Sequence, residues 1–320
     1  MGEISVSESS KHGARSQVDL ADESGFETST IGIAGGLTIR ALRNGCIYTI
    51  ESESAESGKI QINQILASPL GGGIHRIYLR IHDDEDISAV EIVGPRAASA
   101  FAVSSDRFVW SGAWRGLHYR CTCRAVAAKD AWFFRVEVEN RSGNAVNIDA
   151  VMVQDIGLAA RGQVRNNENY TSQYLDHFAA KHAELGHVLM TRQNLPQPGG
   201  VHPWLIQGCF PKAAGFTTDG FDFFGAAYRA SGIPAALSRK IIGERVRQYE
   251  AAYTAIQSIQ PKIEPFERFA FTFFSKFSGD HPEPSSPADI EESRILNLRT
   301  DAEEMERTPA NAGADAGELS

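Results

Sequence analysis

The sequence predicts a mainly β protein, a sandwich or barrel rather than a series of βαβ units. Three observations carry that prediction. Runs of alternating apolar and polar residues recur at spacings of roughly 8–12 residues, as in all-β folds. Gly, Asn and Asp punctuate them. Between two such runs, Leu37 to Leu42 and Cys46 to Glu51, stands Asn44-Gly45. That dipeptide is the strongest short-range hairpin signal and reads as a two-residue turn.

Residues 1–29 are rich in Ser, Glu, Gly and Lys with no apolar period, and are expected to be disordered. Strand patterns follow at Lys59 to Leu66, Ile74 to Ile81, Ser88 to Val93 and Arg107 to Trp110. The loop Pro69-Leu70-Gly71-Gly72-Gly73 lacks the lysine and helix of a phosphate-cradling loop. Asp83-Asp84-Glu85-Asp86 lacks the glycine and distal glutamate of a calcium loop, so it reads as a solvated turn. Leu117 to Val126, Trp132 to Asn140 and Val146 to Val153 alternate clearly. Cys121 and Cys123 then share one strand face and cannot easily bridge each other. With Cys46 and Cys209 they read as reduced core thiols, with no metal site.

Further on, Ala179 to Arg192 gives a mixed signal, and Phe216 to Gly225 is dense in aromatics and glycine. Tyr253 to Pro261 and Phe266 to Phe277 form a closing hairpin around Glu264-Pro265, with Phe269, Phe271 and Phe273 on one core-facing side. The sandwich is therefore placed at 30–279. Residues 280–307 are a linker with a helix, started by Ser286 and Pro287 three and two residues before Asp289. Its apolar side, Ile290, Ile295, Leu298, Ala302 and Met305, has no evident partner in the sequence. Residues 308–320 are expected to be a disordered tail.

Composition narrows the function classes. The 320 residues are 42% hydrophobic and 22% charged, which is ordinary globular composition, and a sandwich of this size can be one domain. A net charge of −9 offers no basic footprint for nucleic acid or anionic lipid. No apolar run approaches the ~18 residues of a membrane span. Met1-Gly2-Glu3-Ile4 lacks the basic start and apolar core of a secretory signal, and Val6 replaces the Ser or Thr of a myristoylation motif. The chain reads as cytoplasmic, with no nucleic-acid and no membrane partner.

The stretch from Asn166 to His177 combines Tyr170 and Tyr174 with Glu168, Asp176, His177 and a row of amides. Such groups hold sugars, because hydroxyls take paired hydrogen bonds and the apolar face of a pyranose lies on a ring. From composition alone, a solvated connection with Asx turns is the stronger reading. There is no G-x-S-x-G, no G-x-x-x-x-G-K-[ST] and no H-E-x-x-H. His177, His182 and His187 recur every five residues, which suits neither a helix face nor a strand face. Asp155 is the best single acid, although a strand-end hydrogen-bonding role is the stronger reading. No catalytic residue is assigned.

A family resemblance tips the balance. Val136 to Asn140, Val151 to Ala159 and Asn167 to His177, with Thr191-Arg192-Gln193-Asn194, Gly215 to Gly220 and Pro234 to Leu237, resemble the N-terminal domain of inverting glycoside phosphorylases typified by cellobiose phosphorylase. Within that family the similarity is strongest to the 1,2-β-oligoglucan phosphorylase branch and the phosphorylase region of cyclic β-1,2-glucan synthase. It covers about residues 31 to 305. The resemblance implies a galactose-mutarotase-like β-supersandwich, linker helices, and then a catalytic (α/α)₆ barrel that this chain does not reach. It implies reversible phosphorolysis of a β-glucosidic bond with inversion, in a homodimer. Inorganic phosphate is then the co-substrate of the complete enzyme, and no organic cofactor is implied. The acid and the phosphate-binding residues would lie in the barrel, so this chain is not expected to catalyse alone. Its part would be to shape the substrate rim and a subunit interface, with Glu168, Tyr170, Gln173, Tyr174, Asp176 and His177 against a β-glucan oligosaccharide and the barrel supplied in cis or trans. Alternatives are a free-standing carbohydrate-binding or assembly protein and, less favoured, a mutarotase-like enzyme.

Overall fold

The computed structural model describes residues 28–32, 36–55, 57–64, 75–83, 86–126, 129–248 and 251–307. Residues 1–27 of the segment expected to be disordered, the Gly-rich loop, the middle of the acidic turn and the tail lie outside these residues. Thr28 and Ser29, also expected to be disordered, are paired in the first strand with Leu42 and Ala41. Strands run in order as β1 (Thr28–Ile31), β2 (Thr38–Leu42), β3 (Ile47–Ser54), β4 (Gly58–Gln61), β5 (Arg76–His82), β6 (Ile87–Val93) and β7 (Ala100–Ser104). Next come β8 (Arg107–Trp114), β9 (Leu117–Val126), β10 (Ala131–Asn140), β11 (Val146–Asp155) and β12 (Ala159–Ala160), then helices α1 (Arg161–Asn166) and α2 (Glu168–Ser172). After these follow β13 (Leu175–His182), β14 (Gly186–Gln193), β15 (Trp204–Phe210), β16 (Ala213–Asp219), α3 (Gly220–Phe224) and α4 (Tyr228–Ser231). The chain continues through β17 (Glu244–Arg245), β18 (Ala252–Ser258), β19 (Lys262–Ile263), β20 (Arg268–Ser278), α5 (Asp289–Glu292) and α6 (Leu298–Arg307). Among the described residues no helix is long and apolar enough to cross a membrane.

Local chemistry explains most of these elements. In β10, Trp132, Phe134, Val136 and Val138 point into the core while Arg135, Glu137 and Glu139 line the opposite face, the period-two pattern of a half-buried strand. The Asn44-Gly45 hairpin forms with a different turn from the two-residue one expected. Leu42 N donates to Cys46 O at 2.8 Å and Gly45 N to Leu42 O at 2.9 Å, so three residues close the loop. Gly45 alone of the three has positive φ (+80°), the signature of a bulged three-residue turn. The mixed segment at 179–192 is a hairpin of β13 and β14, registered from Leu175↔Gln193 to His182↔Gly186.

The strands form a five-stranded sheet, β1-β2-β3-β4-β12, and a long curled sheet, β6-β5-β11-β18-β16-β14-β15-β20-β10-β9-β8-β7 with β13, β17 and β19 on its margins. Two halves of the long sheet meet at a single parallel bridge, Gly186↔Ala213. Gly186 has φ +69°, and a Cβ there would lie 2.0 Å from Ala213 O, so only glycine fits. The main core draws from the five-stranded sheet (Ile39, Ile50) and from both halves of the long sheet (Leu79 and Met152; Trp132, Phe134, Phe271 and Phe273). Polar groups inside it pair across the halves, with Gln207 Nε2 donating to Gln154 Oε1 at 3.2 Å and Thr254 Oγ1 donating to Gln207 Oε1 at 2.7 Å. His75 stacks on Phe134 at 3.9 Å, and burial pushes its pKa down to about 3.

Helical segments cover the outer faces. Phe223, Phe224, Tyr228 and Leu237 pack on Val151, Val153 and Tyr253. Beneath that cap the Arg80 guanidinium forks onto Asp149 at 2.7 and 2.6 Å, and also donates to the main-chain oxygens of Leu237 and Arg239. The linker, expected to hold one helix, is broken at Arg294 (φ +53°) into α5, a 3₁₀ turn at 295–297 and α6. Its apolar side, which has no evident partner in the sequence, has one in the fold. Ile290, Ile295, Leu298 and Ala302 bury against Phe133, Ile206 and Phe274 on the outer face of β10, β15 and β20. Sequence cannot reveal this partner, because the outward residues of three strands distant in the chain create it together.

Candidate functional site

The expected loop at 167–177 is partly helical. Asn167 caps α2, its side chain accepting from Tyr170 N at 2.9 Å, so the Asx chemistry initiates a helix here rather than an open turn. The cap turns Tyr170 outward, where it is 48% exposed. The Tyr170 and Tyr174 rings meet edge to face with centroids 5.0 Å apart and hydroxyls 2.9 Å apart. The hydrogen bond from Tyr170, and then its charge, hold the Tyr174 hydroxyl above the ordinary tyrosine range. Gln173 is exposed beside them, and Glu168 and Asp176 are half-buried.

Asp176 is the second residue of β13, and its Oδ1 accepts from Gln248 Nε2 at 2.9 Å. Gln248 also bridges the main chain of the next residue, donating to His177 O at 2.8 Å and accepting from His177 N at 3.0 Å. His177 takes a different position from the other five candidates. Strand alternation turns it inward, it is 5% exposed, and its Nδ1 lies 2.9 Å from Thr191 Oγ1. Burial lowers its pKa to about 4, so the ring is neutral at pH 7. It supports the rim from beneath rather than presenting its ring outside.

The support below the tyrosines comes from segments distant in the chain, which sequence patterning does not connect. Asn194 N donates to Tyr174 O at 2.9 Å, and Gln193 Nε2 to Thr171 O at 3.3 Å. Arg192 donates through Nε to His281 O at 2.6 Å and through Nη2 to Pro282 O at 2.7 Å, tying the rim to the linker. Gln64 Nε2 reaches Ser172 Oγ at 3.2 Å. Gln248 had no sequence signal at all, since it lies 72 residues from the carboxylate it holds. Asp155, the best single acid in the sequence, ends β11 fully buried and registers with Tyr253, so it does not open onto the rim.

Chemically the rim is a fixed, outward set of two phenols, an amide and two carboxylates on rigid supports. Cavities of about 910 and 640 Å³ lie elsewhere, the first over the outward residues of β8 to β10 and β20, the second beneath the linker helix. An open edge of this kind touches a ligand on one side only.

The fold is a β-sandwich with an open polar-aromatic rim at residues 168–176. Residues 40–275 match the SOGP N-terminal domain family, and the chain belongs to that family. It is 29% identical over 253 residues to the 1,2-beta-oligoglucan phosphorylase of Listeria innocua serovar 6a, an alignment covering 78% of this chain and 22% of that protein. The chain thus spans about a fifth of the relative's length. Among solved structures, a bacterial glucoamylase complexed with acarbose aligns with TM-score 0.47 and 9% identity, over 88% of this chain and 37% of its own. A galactose mutarotase related enzyme from Lactobacillus acidophilus aligns with TM-score 0.43 and 9% identity, over 81% and 100%. At those scores and identities the structural likenesses carry no argument about activity.

Proposed function

We propose that this chain is the non-catalytic sandwich of a β-1,2-glucan phosphorylase-like enzyme, and that its rim contacts glucosyl units held between it and a catalytic barrel domain supplied in cis or trans. Glu168, Tyr170, Gln173, Tyr174 and Asp176 are the sugar contacts, with Gln248 holding Asp176 and His177 buried beneath on Thr191. The observation that carries the reading is the family match over residues 40–275, a region that contains the whole rim.

The one-sided rim supports the same division of labour. Each polar contact contributes on the order of 1 kcal/mol net, while association costs at least about 4 kcal/mol, so a few contacts on an open edge bind weakly alone. A second wall would make the site complete. Phosphorolysis would then be performed by the barrel's acid and bound phosphate, with this chain setting register and chain-length preference. A subunit interface at this edge and a cytoplasmic setting belong to the same proposal.

Co-expression with a cognate barrel half, assayed for phosphate-dependent release of glucose 1-phosphate from β-1,2-glucan, tests it. Activity that depends on this chain is expected. Full activity of the barrel without it would remove the proposed role. Saturable glucan binding by the chain, with no effect on any barrel, would favour a free-standing carbohydrate-binding protein instead.

A further inference from the structure

After the 235–238 turn, residues 239–247 run on to pair with β16 at Glu244 and Arg245, and carry Arg239, Arg245 and Arg247 in a chain of net charge −9. Arg245 and Arg247 stand two apart in this extended stretch, so they share a side, and Arg245 registers with Thr217 of β16. Arg239 faces them from the end of the turn. All three line one cleft of about 230 Å³ with Thr217, Asp222, Ile242, Gly243 and Glu244.

The cleft is preformed. Arg239 O accepts from buried Arg80 at 2.7 Å, while Thr218 Oγ1 accepts from Arg247 N at 2.8 Å and donates to Arg247 O at 2.9 Å. Gly243 O accepts from Phe216 N at 2.8 Å, and a Cβ on Gly243 would lie 2.8 Å from Phe216 O, so the segment is held against β16 and no side chain stands at this position. Charge there is incompletely matched. Asp222 holds Arg247 at 2.7 Å, and Glu244 turns away to His187 at 3.4 Å. Among the described residues Arg239 and Arg245 have no carboxylate partner; the only acceptor for the Arg239 guanidinium is Ile242 O at 3.4 Å. Thr217, 2% exposed at the back of the cleft, accepts from Asp219 N at 3.3 Å, which leaves its hydroxyl proton for a further acceptor.

We infer that this cleft binds a small, doubly charged oxyanion, inorganic phosphate or the phosphate group of a monoester, between Arg239, Arg245 and the Thr217 hydroxyl. Guanidinium forks match the paired oxygens of such an anion, a buried hydroxyl supplies a third donor, and the volume admits one phosphate group. The inference is independent of the glucan rim, because none of the five rim contacts lines the cleft.

The test is calorimetric titration of the full chain with sodium phosphate, phenyl phosphate and sodium chloride at constant ionic strength. Saturable phosphate binding is expected, weakened at least about tenfold in Arg245→Gln and in Arg239→Gln, since one charge-assisted contact accounts for about 1.5–3 kcal/mol. Thermal midpoints of the variants should match the parent, and Tyr174→Ala should bind phosphate normally. Binding of phenyl phosphate as well as phosphate assigns the cleft to a phosphate group on a larger molecule; binding of free phosphate alone assigns it to the ion. Either supports the inference. It is overturned by an absence of saturable binding, by equal competition from chloride, or by affinity unchanged in both arginine variants.

Discussion

Asp149 and Asp176 are both carboxylates held by a glutamine amide, at 2.8 Å from Gln257 and 2.9 Å from Gln248, and there the likeness ends. Asp149 is fully buried, forked by Arg80 and bonded to His82 Nε2 at 2.9 Å, so its oxygens are used up inside the chain. Asp176 is half-buried at the molecular edge, and its Oδ2 has no hydrogen bond among the described residues. The same chemistry is a structural clamp in one place and an open acceptor in the other. What separates them is the location of the partners.

Removing each partner breaks or sharpens that contrast, the largest effect first. Asp149→Ala leaves the Arg80 guanidinium buried without its counter-ion. Loss of one member of such a pair costs about 3–5 kcal/mol, so chemical denaturation should give a folding free energy lower by that order. A loss under about 1 kcal/mol would mean that the clamp is not structural.

Acid should act next, through two of the buried imidazoles, His75 and His177. The pKa of His177 is lowered to about 4 and that of His75 to about 3, so between those values and about 6.5 the unfolded chain binds protons that the folded chain refuses. Stability from these groups is fully present above about pH 6.5 and declines as pH falls towards 4 for His177 and 3 for His75. Thermal midpoints across pH 4 to 7 should drop on the acid side, and His177→Asn should flatten part of the slope. An unchanged slope in that variant would remove His177 from the explanation.

Gln248→Ala should have a smaller effect, about 1 kcal/mol or less in stability, because β13 keeps its pairing with β14. Its consequence should appear at the rim instead, as a several-fold rise in glucan KM of the reconstituted enzyme through a loosened Asp176. A loss of stability with KM unchanged would class Gln248 as ordinary packing.

How much of this was legible in the sequence follows the same division. Strands whose signal is their own alternation, such as Leu117 to Val126 and the Phe269-Phe271-Phe273 face of β20, stand where their pattern puts them. Elements that depend on distant residues were less readable. The β13–β14 hairpin has a blurred period because β14 is buried almost throughout, with residues of both parities inside. The linker helix needed Phe133, Ile206 and Phe274 to explain its apolar side. At the rim, residue types marked the segment, but only the fold distinguishes outward Tyr170 from inward His177, and only the fold brings Gln248 to Asp176.

The most direct measurement is an NMR titration of the full chain with β-1,2-linked gluco-oligosaccharide, comparing the parent with Tyr174→Ala. Resonances of Tyr170, Gln173, Tyr174 and Asp176 should shift saturably with weak affinity in the parent, and Tyr174→Ala should bind about five- to tenfold more weakly while keeping its thermal midpoint, as expected for loss of about 1 kcal/mol of contact. Shifts confined to another face, or an affinity untouched by the substitution, would contradict a sugar-binding rim at residues 168–176.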